Sequence, residues 1–238
     1  LFRILQPRRV GGSELDYAML VELGAALAHG CASSAWTLTT IASHHWMLAM
    51  FPAVAQEGVW GADADALIAA SFIFPAGRAH AVADGYMLSG RWPLATGVDF
   101  CGWSMLGAIV ESEDENDLAE YRIFLVPRKD YHVLDTWHAS GLEATGSNDV
   151  EIKEVFVPAD FTLAADRTKG GETPGSVLNP GALYRIPVFA MFPYVRTGTA
   201  LGIAEAAIAA FADSSTHRTT TYTGVPLSAQ QAVHIRLA

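Results

Sequence analysis

The sequence predicts an α+β fold in which helices and strands are segregated along the chain. Three observations carry that reading: helical periodicity over residues 1–66, short β-rich runs punctuated by turn residues over 67–164, and an Ala-rich helical stretch within 191–238, with a linker over 165–190. Strands and helices do not alternate, and neither a Walker loop nor a GxGxxG fingerprint is present, which argues against a Rossmann or α/β-barrel fold.

Taken in order, Gly11-Gly12 makes a turn, and Ser13 with Glu14 and Asp16 predicts a capped helix start near Glu14. Leu20, Leu23 and Leu27 recur at helical spacing up to a stop at Gly30. From Ala32 to Phe51 the chain is apolar almost all round, through Trp36, Ile41, Trp46 and Leu48, so this helix is expected to be buried on more than one face. Pro52 resets the chain before a short turn over Gln56 to Trp60. Strand runs follow at Ile68 to Phe74, His80 to Ala83, Tyr86 to Leu88, Cys101 to Val110, Tyr121 to Val126 and Val150 to Val157. Asp84-Gly85 signals a hairpin, Glu111 to Glu120 an acidic loop, and Pro127 and Pro158 strand ends. Ala165 to Ala182 is rich in Gly, Pro, Thr and Ser and reads as a loop. Val195 to Phe211 reads as a helix with Leu201, Ala204 and Ile208 on one face, and Ser228 to Ala238 as another.

Composition narrows the function. The chain has 238 residues, 51% hydrophobic and 17% charged, which excludes intrinsic disorder. Fifteen Lys+Arg against 25 Asp+Glu give a net charge of −10, which repels nucleic acid and an anionic membrane face and leaves small molecules or proteins as partners. Cys31 and Cys101 belong to no ligand pattern and read as free thiols of a reducing compartment. No uncharged apolar run reaches the ~20 residues that cross a bilayer, and a basic n-region is absent from the N-terminus, so a cytoplasmic protein is expected. The chain opens on Leu1 and stops at Ala238 inside a helical pattern, which suggests a fragment.

Several segments then form an ordered set: Leu5-Gln6-Pro7 with Gly11-Gly12, Cys31 to Trp36, His44-His45-Trp46, Gln56 to Gly61, Gly90 to Gly97, and Gly141 to Ser147. Their order and spacing resemble the oxygenase components of two-component, flavin-dependent aromatic monooxygenases built on the acyl-CoA dehydrogenase fold. The resemblance implies N-terminal helices, a central β-barrel and a C-terminal helical bundle, truncated here, assembled as a homotetramer. It also implies reduced flavin, FMN or FAD, delivered by a separate NAD(P)H-dependent reductase. With O2 that flavin gives a C4a-hydroperoxide that hydroxylates a phenol-like or polycyclic aromatic substrate.

Position by position, the resemblance sets Trp36 beside the flavin, Ala70, Ser71 and Phe72 on a flavin-lining strand, and Leu94, Ala95 and Thr96 at a strand end facing the flavin ring. It makes His44 the active-site histidine and Arg218 the arginine for the flavin phosphate. The chemistry is consistent: one hydroxyl such as Thr96 amid apolar walls suits a water-sensitive intermediate, and an imidazole suits a phenolic proton. Adjacent side chains on a helix point about 100° apart, so His45 is expected to be structural, as are Trp46, Trp60, Trp92 and Trp103. Cys101 reads as a small buried hydrophobe, and Asp135 and His138 as turn residues. Phe100 stands where the family commonly has a histidine, which implies a more apolar substrate region or a different substrate. The alternatives are an acyl-CoA dehydrogenase or oxidase with bound FAD, and a non-catalytic relative.

Overall fold

In a computed structural model, described over residues 1–112 and 119–237, the chain runs as helices, then a mixed sheet, then helices. Helices α1 (Ala18–Ala28), α2 (Ala32–Leu48) and α3 (Ala53–Trp60) come first, and α4 (Val188–His217) and α5 (Gln231–Leu237) close the chain. Between them lie β1 (Ile68–Ser71), β2 (Gly77–Val82), β3 (Gly85–Trp92), β4 (Trp103–Glu111), β5 (Glu120–Pro127), β6 (His132–Leu134), β7 (Asp149–Pro158) and β8 (Thr162–Ala164).

Helix α1 starts later than its acids suggest. Glu14 sits at φ 49° and its carboxylate accepts the Arg8 amide, so Ser13 and Glu14 close a turn and Tyr17 is the N-cap. Helix α2 meets its prediction of multi-sided burial, with Thr39 to Leu48 buried without interruption. Its Trp46 donates to the Leu183 carbonyl at 2.7 Å and meets Tyr17 edge-on at 4.9 Å.

The sheet order is β6-β7-β3-β2-β4-β5-β8, and β1 also pairs with β4. Strands β1 and β2 run parallel to β4 in series along the same edge, while the other pairings are antiparallel. The sheet curls until β5 and β7 face each other across an apolar cavity of about 340 Å³ that includes Trp103 and Phe161. No ladder joins β6 to β8 among the described residues, so the expected barrel is a barrel-like sheet left open. The hairpin expected at Asp84-Gly85 forms one residue earlier: Val82 pairs with Gly85, so Ala83-Asp84 make the turn, with Asp84 at φ 62°. The acidic loop foreseen over Glu111 to Glu120 lies mostly outside the described residues.

Helix α4 is far longer than the Val195 to Phe211 segment predicted, because Pro193 lies inside it rather than before it. With its 30 residues it is long and apolar enough to span a bilayer by those two measures, which the sequence reading did not anticipate. Its inner face packs on α1 instead. Cβ atoms at Gly198 and Gly202 would lie 2.0 and 2.2 Å from the carbonyl oxygens of Val21 and Ala25, so glycine lets the two backbones touch. Leu201 and Ile208, on the stripe read from the sequence, are exposed.

Candidate active site

The site forms where the middle of α2, strand β1, the loop after β3 and the first turns of α4 converge. Cavity A, about 300 Å³, is lined by Thr40 and His44 of α2, Ala70 and Ser71 of β1 with Phe72 and Ile73 beyond it, Leu94 and Thr96, and Phe189, Phe192 and Arg196 of α4. Cavity B, about 240 Å³, is lined by Trp36, Leu94, Thr96, Trp137, Leu142, Thr145, Ser147 and Arg196. Leu94, Thr96 and Arg196 are common to both, so the cavities adjoin.

His44 is 1% exposed, and its Nδ1 lies 2.6 Å from the Ile68 carbonyl oxygen. A carbonyl only accepts, so Nδ1 carries the proton and Nε2 is left as an acceptor. Burial pushes the imidazole pKa down to about 4, against the smaller upward pull of the Ile68 bond, so the ring is neutral at pH 7. Next to it on the helix, His45 turns away, as adjacent residues must. It accepts the Trp60 indole N–H at 3.2 Å, stacks on that ring and lines neither cavity.

Thr96 is held by its loop. Leu94 takes φ 64°, a conformation that costs a non-glycine residue about 1–2 kcal/mol, and Gly97 follows at φ 70°. The loop is pinned by Ala95 N–H to the Asn148 carbonyl at 3.0 Å and Gly97 N–H to the Thr145 carbonyl at 2.9 Å. The Thr96 hydroxyl is 3.0 Å from that of Ser147, which is 2.9 Å from that of Thr145, giving a buried chain of three hydroxyls. Ser71 donates to the Pro93 carbonyl at 2.7 Å.

Arg196 completes the arrangement. Its guanidinium lies 4.1 Å from the centroid of the Trp36 ring and donates to Thr40 at 3.4 Å, and burial lowers its pKa. No carboxylate pairs with it among the described residues.

Of the residues singled out from sequence, Trp36, His44, Ala70, Ser71, Phe72, Leu94 and Thr96 come together here. Ala95 does not line either cavity, because its methyl group lies in the sheet core and its amide is spent on Asn148. Arg218 is exposed at the C-cap of α4 and also lines neither, so the cation at these cavities is Arg196. Phe100 is 85% exposed and borders a separate cavity with Phe2 and Thr37, so it does not make cavity A more apolar. The residues missed include Arg196, Phe189, Phe192, Thr145 and Ser147. A signal for the first three exists: positions 189, 192 and 196 share one helical face, and Arg196 is a lone cation in an apolar stretch.

The chain as a whole is similar to several known proteins. Residues 194–238 match the model of the acyl-CoA dehydrogenase C-terminal domain. The oxygenase component of the FADH(2)-dependent resorcinol hydroxylase of Rhizobium sp. (strain MTP-10005) is 36% identical over 213 residues, covering 89% of this chain and 52% of that protein. The oxygenase subunit HsaA of a flavin-dependent monooxygenase from Rhodococcus jostii is 34% identical, covering 87% of this chain and 53% of that protein. The crystal structure of the 3-HSA hydroxylase from Rhodococcus sp. RHA1 superposes with a TM-score of 0.87 at 33% identity, covering 92% of this chain and 57% of that one. The fold is acyl-CoA dehydrogenase-like, and the chain is a homologue of flavin-dependent monooxygenase oxygenase components. It spans about half the length of the curated relatives it matches. XiaF from Streptomyces, solved with FADH2, shares this acyl-CoA dehydrogenase-like fold with a TM-score of 0.86 at 26% identity, covering 99% of this chain and 59% of that one.

The residues present fit a reduced flavin. A partly buried guanidinium without a carboxylate partner among the described residues, lying on an indole, is a ready partner for an electron-rich planar ring, and the hydroxyl chain at Thr96 supplies polar contacts in an otherwise apolar wall.

Proposed function

We propose that this chain forms the core of the oxygenase component of a two-component flavin-dependent monooxygenase that hydroxylates a phenolic aromatic ring. The observation that carries the reading is the meeting of a neutral buried His44, the Thr96 hydroxyl chain and an Arg196 that has no carboxylate partner among the described residues, around two adjoining apolar cavities. The names of the relatives support it. A bound reduced flavin would supply the electrons that activate O2.

In this reading, Trp36, Leu94, Thr96 and Arg196 hold the flavin, joined by Ala70, Ser71 and Phe72 along cavity A, and the rest of cavity A takes the substrate. Arg196 offsets the negative charge of the reduced ring. His44 accepts the phenolic proton at Nε2 as the ring is attacked, raising the electron density of the carbon that takes up oxygen. Phe72, Phe189 and Phe192 keep water out, which favours oxygen transfer over release of peroxide. Arg218, exposed at the C-cap of α4, lines neither cavity, and its assignment to the flavin phosphate stays part of this proposal. A separate NAD(P)H-dependent reductase, an assembly of four copies and a cytoplasmic setting belong to the same proposal.

The test supplies the protein anaerobically with reduced FMN or FAD and a phenol, admits O2, and measures hydroxylated product against hydrogen peroxide. Product in excess of peroxide supports the reading. Peroxide alone across a phenol panel, together with bleaching of bound FAD by an acyl-CoA, would move the assignment to a dehydrogenase or oxidase.

A further inference from the structure

One residue that lines neither cavity ties together the two loops that wall cavity B. The side-chain carbonyl of Asn148 accepts the amide N–H groups of Thr136 and Trp137, each at 3.0 Å, and its Nδ2 donates to the Asp99 carboxylate at 2.9 Å. A single orientation of the side-chain amide serves all three partners. The main-chain carbonyl of Asn148 accepts the Ala95 amide at 3.0 Å, next to Thr96.

Trp137 reaches cavity B from this bracket. Its indole N–H is spent inside its own loop, on the Glu143 carbonyl at 3.1 Å and the Leu142 carbonyl at 3.4 Å, with Leu142 turned to φ 55°. The indole therefore offers the cavity carbon surface and no donor. The helices bring Trp36 and Arg196 to the same cavity, so a planar ligand there has one indole to meet from the helical layer and another from the loop between β6 and β7. Asn148 sets the spacing of Trp137 from Thr96, through its side chain on one arm and its backbone on the other.

We propose that Asn148 is a positioning residue that seats Trp137 as a wall of the cofactor slot at a fixed spacing from Thr96. The cofactor as occupant rests on the oxygenase reading above, whereas the bracket rests on the hydrogen bonds themselves.

The test follows amide hydrogen exchange over residues 135–138 together with anaerobic titration of the full chain with reduced FMN and reduced FAD. Asn148→Ala keeps the backbone bond to Ala95 but frees the two amides, so exchange there is expected to quicken and reduced-flavin affinity to fall about tenfold. Asp99→Asn combined with Asn148→Asp reverses the donor between the two side chains and keeps an acceptor for both amides, so affinity is expected within about twofold of the parent. Trp137→Leu is expected to lose about as much as Asn148→Ala, and the two together little more than either, because Asn148 acts through Trp137. Unchanged exchange in Asn148→Ala, an exchanged pair no better than Asn148→Ala, or additive losses overturns the proposal. Failure of the parent to bind either flavin removes the cofactor reading of cavity B and the slot with it, while faster exchange in Asn148→Ala still upholds the bracket.

Discussion

His44 shows how one backbone carbonyl decides a side chain's chemistry. Because the Ile68 carbonyl accepts the hydrogen bond from Nδ1–H, the imidazole presents a fixed acceptor at Nε2, and because the ring is buried it stays neutral. His44→Ala is expected to lower hydroxylation by about 10²–10⁴-fold while leaving flavin binding intact, measured as kcat alongside a flavin titration. The same burial has a cost in acid. Both His44 and His45 are held near a pKa of about 4, below the ordinary 6.5, so the unfolded chain binds more protons between those values. Stability is therefore complete above pH 6.5 and falls as pH drops towards 4, by roughly 3 kcal/mol for each histidine. Urea midpoints across that range check this, and a midpoint independent of pH would contradict it. Arg196→Ala should weaken reduced-flavin binding by at least about tenfold, with Arg196→Lys recovering part of the loss, because a point charge lacks the planar stacking surface offered to Trp36.

At the scale of elements, the closest contact in the helical layer is between α1 and α4, where Gly198 and Gly202 meet the carbonyls of Val21 and Ala25. Gly198→Val must push the helices apart, and is expected to lower stability by about 1–3 kcal/mol or more and to shift Arg196 and Phe192 with it. Thermal melts and flavin affinity should fall together, whereas a variant that melts lower but binds flavin normally would show the site insulated from this contact. The existence of α1, α2, α4 and six of the strands was legible because each carries a period or a run of its own. Their limits were less so. The helix read from Val195 begins at Val188 with Pro193 inside it, and β6 and β8, of 3 residues each, are too short to show a pattern and exist because β7 and β5 offer them an edge. Arg196 was overlooked for a related reason: it is remote in sequence from Trp36, and only the α4 packing makes them neighbours.

Considering the whole molecule, the proposed division of labour requires that reduced flavin reach the site from outside. Photochemically reduced FMN, with no nicotinamide and no reductase present, is then expected to support hydroxylation at a yield comparable to the coupled system, measured as product per flavin. Dependence on a physically associated reductase would contradict this. The position of Pro193 has one more result. Lacking an N–H, it leaves the Phe189 carbonyl without its helical donor, so the turn that carries Phe189 and Phe192 is tied less tightly than the stretch beyond it, where glycine contacts clamp α4 to α1. One helix thus contains both a doorpost and a foundation. Traffic through the aromatic opening can be retuned by evolution without disturbing what holds the molecule together.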